Sequence, residues 1–290
     1  MNDWAIGLST GSFYRTSLFE CLPDIRSHGF ELVELCTYPA HVNIHDPAEM
    51  TRAADTLRSL GVRAASVHAP FGPHIDITAP GKERERSLRE IHAAAQAAAV
   101  VGAGTLVLHP GPDREPSSEH RDEGRIAAGA ATISEVVKTC GELGIRVALE
   151  NQLPHLLTGG TGKLRRVLES LPLDGIGICL DTGHAHLSGD LLRTLDDLAP
   201  RLAVVHVSDN HGKRDDHLPP GEGSIDWRDF LASLVGTTFR GPLILELAGD
   251  GDFALTLEAA VRGRTFLESH LRALEGNGSG SRTGQPEAGL

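Results

Sequence analysis

Eight short apolar runs punctuate the chain, and each is separated from the next by a stretch long enough to hold a helix. They lie at residues 5–9, 32–35, 62–67, 105–108, 146–149, 175–180, 203–207 and 243–247. Several are continuous runs of aliphatic residues, the pattern of parallel strands covered on both faces. The intervening segments carry apolar residues at helical spacing, most clearly at 47–60, 83–101, 125–143 and 255–274. Gly29, Gly61, Gly102 and Gly144 each follow a helical segment and precede a strand, where a helix closes on a left-handed residue. Eight such units in 290 residues predict an α/β chain folded as a single-domain (β/α)8 barrel, which needs about 250 residues. A doubly wound sheet is the alternative, but no GxGxxG follows the first strand. The barrel is expected over residues 1–274. The Gly- and Ser-rich stretch 275–290 is expected to be a disordered tail.

Composition narrows the function classes. Apolar residues make up 40% and charged residues 23%, as in soluble globular proteins. The net charge of -12 gives no global basic footprint for nucleic acid, although it says little about local patches. The four cysteines are far apart and form neither a disulfide framework nor a thiolate zinc motif. No apolar run approaches the roughly 18 residues of a membrane span. The opening residues lack a basic and apolar leader, so a reduced, cytoplasmic setting is the expectation. Histidine stands out at 15 residues, against eight Phe, two Trp and two Tyr. It is the commonest metal ligand, so its positions matter more than its number.

Six consecutive strands each deliver one titratable group to the same end of the barrel. His68 closes strand three, His109 strand four, Glu150 strand five and Asp181 strand six. His206 lies in strand seven, and Glu246 closes strand eight. That C-terminal end is where barrels of this kind place their active sites. Each group follows apolar residues that cannot solvate a charge, so a carboxylate there needs a cation or dense hydrogen bonding. One such residue is ordinary; six in succession point to a shared site. A second group lies in loops. His184 follows Asp181 by three residues, and Asp215-Asp216-His217 leads into Pro219-Pro220-Gly221-Glu222-Gly223. In an extended loop, residues two apart share a side, so Asp215 and His217 can chelate one ion. Hydrogen bonding to a substrate is the plainer reading of that pair.

With these residues in place, the chain resembles the xylose isomerase-like TIM barrels, which include sugar phosphate isomerases/epimerases and endonuclease IV. The resemblance spans residues 5–274. It is carried by Asp181-Thr182-Gly183-His184-Ala185-His186, by His206-Val207-Ser208-Asp209-Asn210, and by the stretch from His217 to Trp227. In the ketose epimerase branch four strand-end groups bind one divalent ion; carried over, these are Glu150, Asp181, His206 and Glu246. In the endonuclease IV branch nine ligands bind three zinc ions. The matching residues are His68, His109 and Glu150 for one ion, and Glu150 as a bridge with Asp181, His206 and Glu246 for the second. His184, Asp215 and His217 match the third. The implied cofactor is one to three divalent ions, zinc or manganese first, with iron and cobalt compatible.

The isomerase branch implies proton transfer through an enediolate, with Glu150 and Glu246 as the acid/base pair and His184 and His186 orienting hydroxyls. The substrate would be a sugar, a sugar phosphate or a polyol ketone. The endonuclease branch implies phosphodiester cleavage at abasic DNA. A third reading, a metal-binding accessory subunit without activity, is opposed by the intact acid/base pair. Three features lean toward the isomerases. Glu34 is expected to place a carboxylate at the barrel mouth. The stretch Leu8 to Tyr14 lacks the His-Val-Ser element and Gly-Gly turn of the endonucleases. The loop from Pro70 to Asp76 resembles the isomerase loop. Ketose epimerases carry a substrate-gripping arginine soon after the strand-seven histidine. Here Gly212 stands near that place, with Lys213 and Arg214 beyond, which leaves the substrate open.

Other residues are expected to lie outside the chemistry. The run Lys82 to Arg86 reads as a solvated helix start, and His28, His92, His120 and His270 as helix-surface residues. Trp227 is expected to pack behind the Gly-Glu-Gly loop, and His74 and His211 to lie near the mouth. His41, His45 and His155 are loop positions without an assigned role.

Overall fold

In the computed structural model, eight parallel strands pair in sequence order and close when the first meets the eighth. They are β1 (Ile6–Ser9), β2 (Leu32–Cys36), β3 (Arg63–His68), β4 (Thr105–Leu108), β5 (Arg146–Glu150), β6 (Ile176–Asp181), β7 (Leu202–Val207) and β8 (Leu243–Leu245). The structure describes residues 4–114, 119–172, 174–249 and 251–278. The helices outside the barrel are α1 (Leu18–Ser27), α2 (Pro47–Leu60), α3 (Gly81–Val101), α4 (Glu119–Glu142), α5 (Thr161–Glu169), α6 (Thr182–Leu187), α7 (Leu191–Leu198), α8 (Trp227–Val235) and α9 (Phe253–Gly278). Among the described residues, no helix is long and apolar enough to cross a membrane.

Local chemistry sets the element ends. The Asp46 side chain accepts the Ala48 N–H ahead of Pro47, which starts α2, and Gly61 ends it at φ 65°. Gly102 closes α3 at φ 74°, where a side chain would be strained. Several boundaries differ from expectation: α3 starts at Gly81, two residues early, and β8 stops at Leu245, two residues short. Helix α4 begins before residue 125, and α9 runs to Gly278, past residue 274. Of the expected tail, residues 279–290 lie outside the described residues, as does the side chain of His120.

The barrel interior is layered by the two-residue period of its strands. Leu32, Val107, Ala148, Cys179, Val204 and Ile244 form one apolar cluster inside the barrel. Two residues further along, the same strands carry Glu34, His109, Glu150, Asp181, His206 and Glu246. At about 3.3 Å of rise per residue, the polar layer sits about 6.6 Å above the apolar one. The register aligns Cys36 with His68, Glu150 with Cys179, and Asp181 with His206. Glu246 lies one residue past β8, yet its N–H still donates to the Val207 carbonyl, so it stays in line with its strand. The outward faces pack the helices through a second, larger core that includes Leu8, Val33, Val67, Leu106, Leu149, Leu180 and Val205.

Candidate metal centre

The site gathers His, Asp, Glu and Cys side chains into five overlapping groups whose ligand atoms lie within 4.8 Å of one another, and three of these groups take in the nine residues marked in the sequence. The first is Glu150, Asp181, His206 and Glu246. The second is His68, His109 and Glu150. The third is His184, Asp215 and His217. All nine residues marked in the sequence are therefore brought together, with Glu150 shared by two groups.

Each of the five imidazoles is held at one nitrogen by an outer acceptor and turns the other toward a carboxylate of the cluster. His68 Nδ1 is 2.8 Å from the Ala69 carbonyl, and its Nε2 is 3.1 Å from Glu150. His109 Nδ1 is 2.8 Å from Asp113, with Nε2 3.4 Å from Glu150. His184 Nδ1 meets the Asn151 carbonyl at 2.9 Å, with Nε2 3.3 Å from Asp215. His206 Nε2 meets Glu34 at 3.1 Å, with Nδ1 2.9 Å from Glu246. His217 Nδ1 meets the Glu246 carbonyl at 2.9 Å, with Nε2 3.0 Å from Asp215. This is how proteins orient metal-binding histidines.

Several buried oxygens and nitrogens in the cluster have no hydrogen-bond partner. They are Asp181 Oδ2, Asp215 Oδ1, Glu246 Oε2, His206 Nδ1 and Glu34 Oε1. His206 Nδ1 and Glu246 Oε2 are close in distance but not aligned as donor and acceptor. An orphaned buried acceptor costs about 1–3 kcal/mol, more when charged, so so many in one place need a common partner. A divalent cation fits: the donors are oxygen and imidazole nitrogen, and none needs a new proton to bind it.

The charges agree. Burial resists the ionisation of Glu150, yet His109 and His206 hold it well below the usual carboxylate range. Burial also resists ionisation of Glu246, but His206 brings it down to about 2. Asp181 goes the other way, raised to about 6 by burial. Burial disfavours a charge on His184, but Asp181 and Asp215 raise it to about 9. His109 and His217 are likewise pushed well above their ordinary value by neighbouring acids despite burial. Protons thus compensate the carboxylates, and a cation would displace them.

Above the cluster lies a cavity of about 390 Å³, within the range of small-molecule sites. Its walls include Tyr14, Tyr38, Phe71, Leu153, Leu156 and Leu247. Tyr14, Tyr38 and Phe71 touch in sequence at ring-centroid distances of 5.1 and 5.4 Å, the first pair tilted and the second edge-on, and Phe71 lies 4.8 Å from His68 and 5.1 Å from His109. No Lys or Arg lines this cavity among the described residues. His155 does line it, which gives that loop histidine a place.

Some expectations change. His186 does not line the cavity; its Nε2 is 2.9 Å from Ser224 Oγ. The reason is helical. His184 and His186 share α6, where residues two apart point about 200° from each other. Asp215 and His217 do converge, but not through an extended backbone, because His217 sits at φ 44°. Glu34 is not at the mouth. It is fully buried, bonded to Ser66 Oγ at 2.7 Å and supporting His206. His74 lines a neighbouring hollow with Asn43 and His45 instead, and His211 is exposed. His41 is buried, with Nδ1 2.6 Å from the Thr16 carbonyl, and burial lowers its pKa. Trp227 packs as expected, 3% exposed, donating to Asp209 at 2.7 Å.

The supporting residues were missed. Asp113 follows His109 by four residues and accepts its N–H. Asn151 and Asp181 exchange two hydrogen bonds, at 2.8 and 3.0 Å. Asp181 Oδ1 also caps α6 through the His184 N–H, leaving Oδ2 free. Asp209 anchors the loop after β7 by accepting the N–H groups of Asn210, Gly221, Ile225 and Trp227. Gly223 is required there, since a Cβ would stand 2.2 Å from Asp209 Oδ1.

Comparison with known proteins adds a family match over residues 22–270, described as xylose isomerase-like TIM barrel. An uncharacterized protein of Methanocaldococcus jannaschii is 26% identical over 275 residues, covering 93% of this chain and 90% of that relative. A probable endonuclease 4 of Nitratidesulfovibrio vulgaris is 28% identical over 255 residues, covering 77% and 85%. A solved D-tagatose 3-epimerase-like protein matches with TM-score 0.82 and 22% identity, covering 94% of this chain and 99% of that one. An L-ribulose 3-epimerase matches at 0.80 and 18%, covering 97% and 99%. The IOLI protein, solved with a zinc atom, matches at 0.74 and 16%, covering 94% and 98%. These structural likenesses show the fold.

Proposed function

Because the chain belongs to the xylose isomerase-like TIM barrel family, we propose that it is a divalent-metal-dependent isomerase or epimerase of a small sugar, sugar phosphate or polyol ketone. The observation that carries this reading is the placement of two glutamates on one cavity. Glu150 from β5 and Glu246 beside β8 both line it, and His206 Nδ1 stands between them, 3.6 Å from Glu150 Oε2 and 2.9 Å from Glu246 Oε2.

Glu150, Asp181, His206 and Glu246 would hold the ion. An ion held there would supply Lewis-acid polarisation of a hydroxy-ketone oxygen, worth several kcal/mol. Glu246, 19% exposed against 2% for Glu150, presents the more open carboxylate and removes the proton from carbon. Glu150 returns a proton to the same or the adjacent carbon, passing on one from His68 Nε2, 3.1 Å away, while the proton on Glu246 is released to solvent. General acid/base help of this kind contributes about 10²–10⁴-fold. The aromatic wall of Tyr14, Tyr38 and Phe71 covers one side of the substrate and limits water. Zinc and manganese suit the donors best, with iron and cobalt compatible. The test is solvent deuterium exchange into ketose substrates. Glu150→Gln and Glu246→Gln are each expected to abolish exchange while the folded circular-dichroism spectrum persists. Exchange retained in both variants would end this scheme.

A second reading is a trinuclear zinc phosphodiesterase acting on abasic DNA. What favours it is the pair of additional donor groups, His68/His109/Glu150 and His184/Asp215/His217, together with the endonuclease 4 relative. Against it stand the aromatic and aliphatic walls, which carry no Lys or Arg among the described residues. Nicking of an abasic duplex by the zinc-loaded protein would favour this second reading over the first. The intact acid/base pair argues against a purely accessory role.

A further inference from the structure

Asp113 joins three of the loops that build the cavity. On the loop after β4, its Oδ1 accepts from His109 Nδ1 at 2.8 Å and from Gln152 Nε2 at 2.7 Å. Its Oδ2 accepts the Gly72 N–H at 2.7 Å. Gly72 follows Phe71, the wall residue over His68 and His109, and Gln152 belongs to the loop after β5.

The chemistry of these neighbours fixes a proton. The Gly72 N–H can only donate. The Gln152 amide nitrogen also contacts the Gly111 carbonyl at 3.0 Å, while its oxygen accepts from Thr158 Oγ1, so the amide cannot turn round without opposing two oxygens. Every contact on Asp113 then comes from a donor, as an ionised carboxylate requires. When neutral, His109 must therefore carry its one proton on Nδ1, leaving Nε2 toward Glu150 free to bind a cation.

We propose that Asp113 is the positioning residue of this centre: it sets the His109 tautomer and ties that choice to the loop bearing Phe71. This rests on the metal-binding reading of the cluster but adds a residue and a role of its own. An Asn at this position has one acceptor end only, so either Gly72 or the Gln152–His109 pair faces a donor. The same logic makes an aspartate-to-asparagine change beside a catalytic histidine select the wrong tautomer elsewhere.

The test has two readouts. Imidazole ¹⁵N spectra of the ion-free protein, at a pH where the ring is neutral, should show His109 protonated on Nδ1. In Asp113→Ala the two tautomers should mix. Zinc titration of Asp113→Asn should show a 10–100-fold weaker site at His68, His109 and Glu150. The site at Glu150, Asp181, His206 and Glu246 should keep wild-type affinity. A wild-type proton on Nε2, an unmixed Nδ1 tautomer in Asp113→Ala, or wild-type zinc affinity in Asp113→Asn overturns the proposal. Failure of the wild type to bind any ion would instead strike the metal reading, and the tautomer readout needs no ion.

Discussion

Stripping divalent ions and raising the pH from 6.5 to 9 should cost the protein about 3 kcal/mol or more of stability. The size comes from His184. Burial disfavours its charge, but Asp181 and Asp215 raise its folded pKa from 6.5 to about 9. A histidine with a raised pKa binds its proton more tightly when folded. The stability it contributes is complete below pH 6.5 and is lost as the pH climbs through about 9. At about 1.4 kcal/mol per pH unit, that interval is worth about 3 kcal/mol. The ring is 7% exposed, so solvent screening takes little away. His68, His109, His206 and His217 are raised too and add in the same direction. The carboxylates do not cancel this. The stability that goes with the lowered pKa of Glu246 is present above 4.5 and is lost only as the pH falls toward about 2. Asp181, raised to about 6, costs stability as the pH rises from its ordinary 3.8 to about 6, below this window. With an ion bound, the cation replaces the protons and the slope should flatten. Urea unfolding at pH 6.5, 7.5 and 9, in chelator and in excess manganese, measures both curves. Equal stability of the chelated protein at 6.5 and 9 would refute the reasoning.

Two more substitutions probe the frame of the site. Three of the four N–H donors on Asp209 are buried; in Asp209→Asn two of the four would face an amide nitrogen, each costing about 1–3 kcal/mol where buried. A loss of about 2–6 kcal/mol in urea unfolding is expected, and less than about 1 kcal/mol would contradict it. His184→Ala should weaken metal binding measurably by calorimetry, whereas His186→Ala, which touches Ser224 instead, should leave it at the wild-type value. Equal effects of the two would mean that α6 turns differently in solution.

The barrel was legible because its signal is periodic and local. Apolar runs recur eight times, clear helical spacing and closing glycines four times each, and each is a property of a few neighbouring residues. The strand ends were read slightly short. β3, β5 and β6 run through His68, Glu150 and Asp181, because ladder bonds to neighbouring strands continue past the last apolar residue. The nine donors were legible because six sit at strand ends, where the fold itself decides their direction. The supporting residues were not. Glu34 meets His206 across 172 positions of sequence, and Asp113 meets Gly72 across 41. Nothing local marks such a pair, although Asp113 at four residues from His109 and Asn151 beside Glu150 were near enough to prompt a search. His186 shows the opposite error. A motif suggested a role that the 100° step of a short helix takes away.

The donors and the walls answer different questions about the reaction. The nine residues of the cluster sit at strand ends, on α6 and on the loop after β7, and on the metal-binding reading they would set which ions bind. They are compatible with proton transfer on a ketone and with phosphodiester cleavage, since both need a cation beside a carboxylate. The walls come from the loops after β1, β2, β3, β4, β5 and β8, and they set what can approach. A DNA backbone would bring several phosphates, each wanting a cationic partner beyond the ions, and protein–DNA contacts are dominated by such pairs. Here those loops supply two tyrosines, a phenylalanine and leucines around a cavity of about 390 Å³. An aromatic face and a floor of hydrogen-bonding groups suit one polyol ring, with its C–H face on the wall and its oxygens toward the ions. On this division of labour, changing the walls should move substrate preference while metal stoichiometry stays fixed.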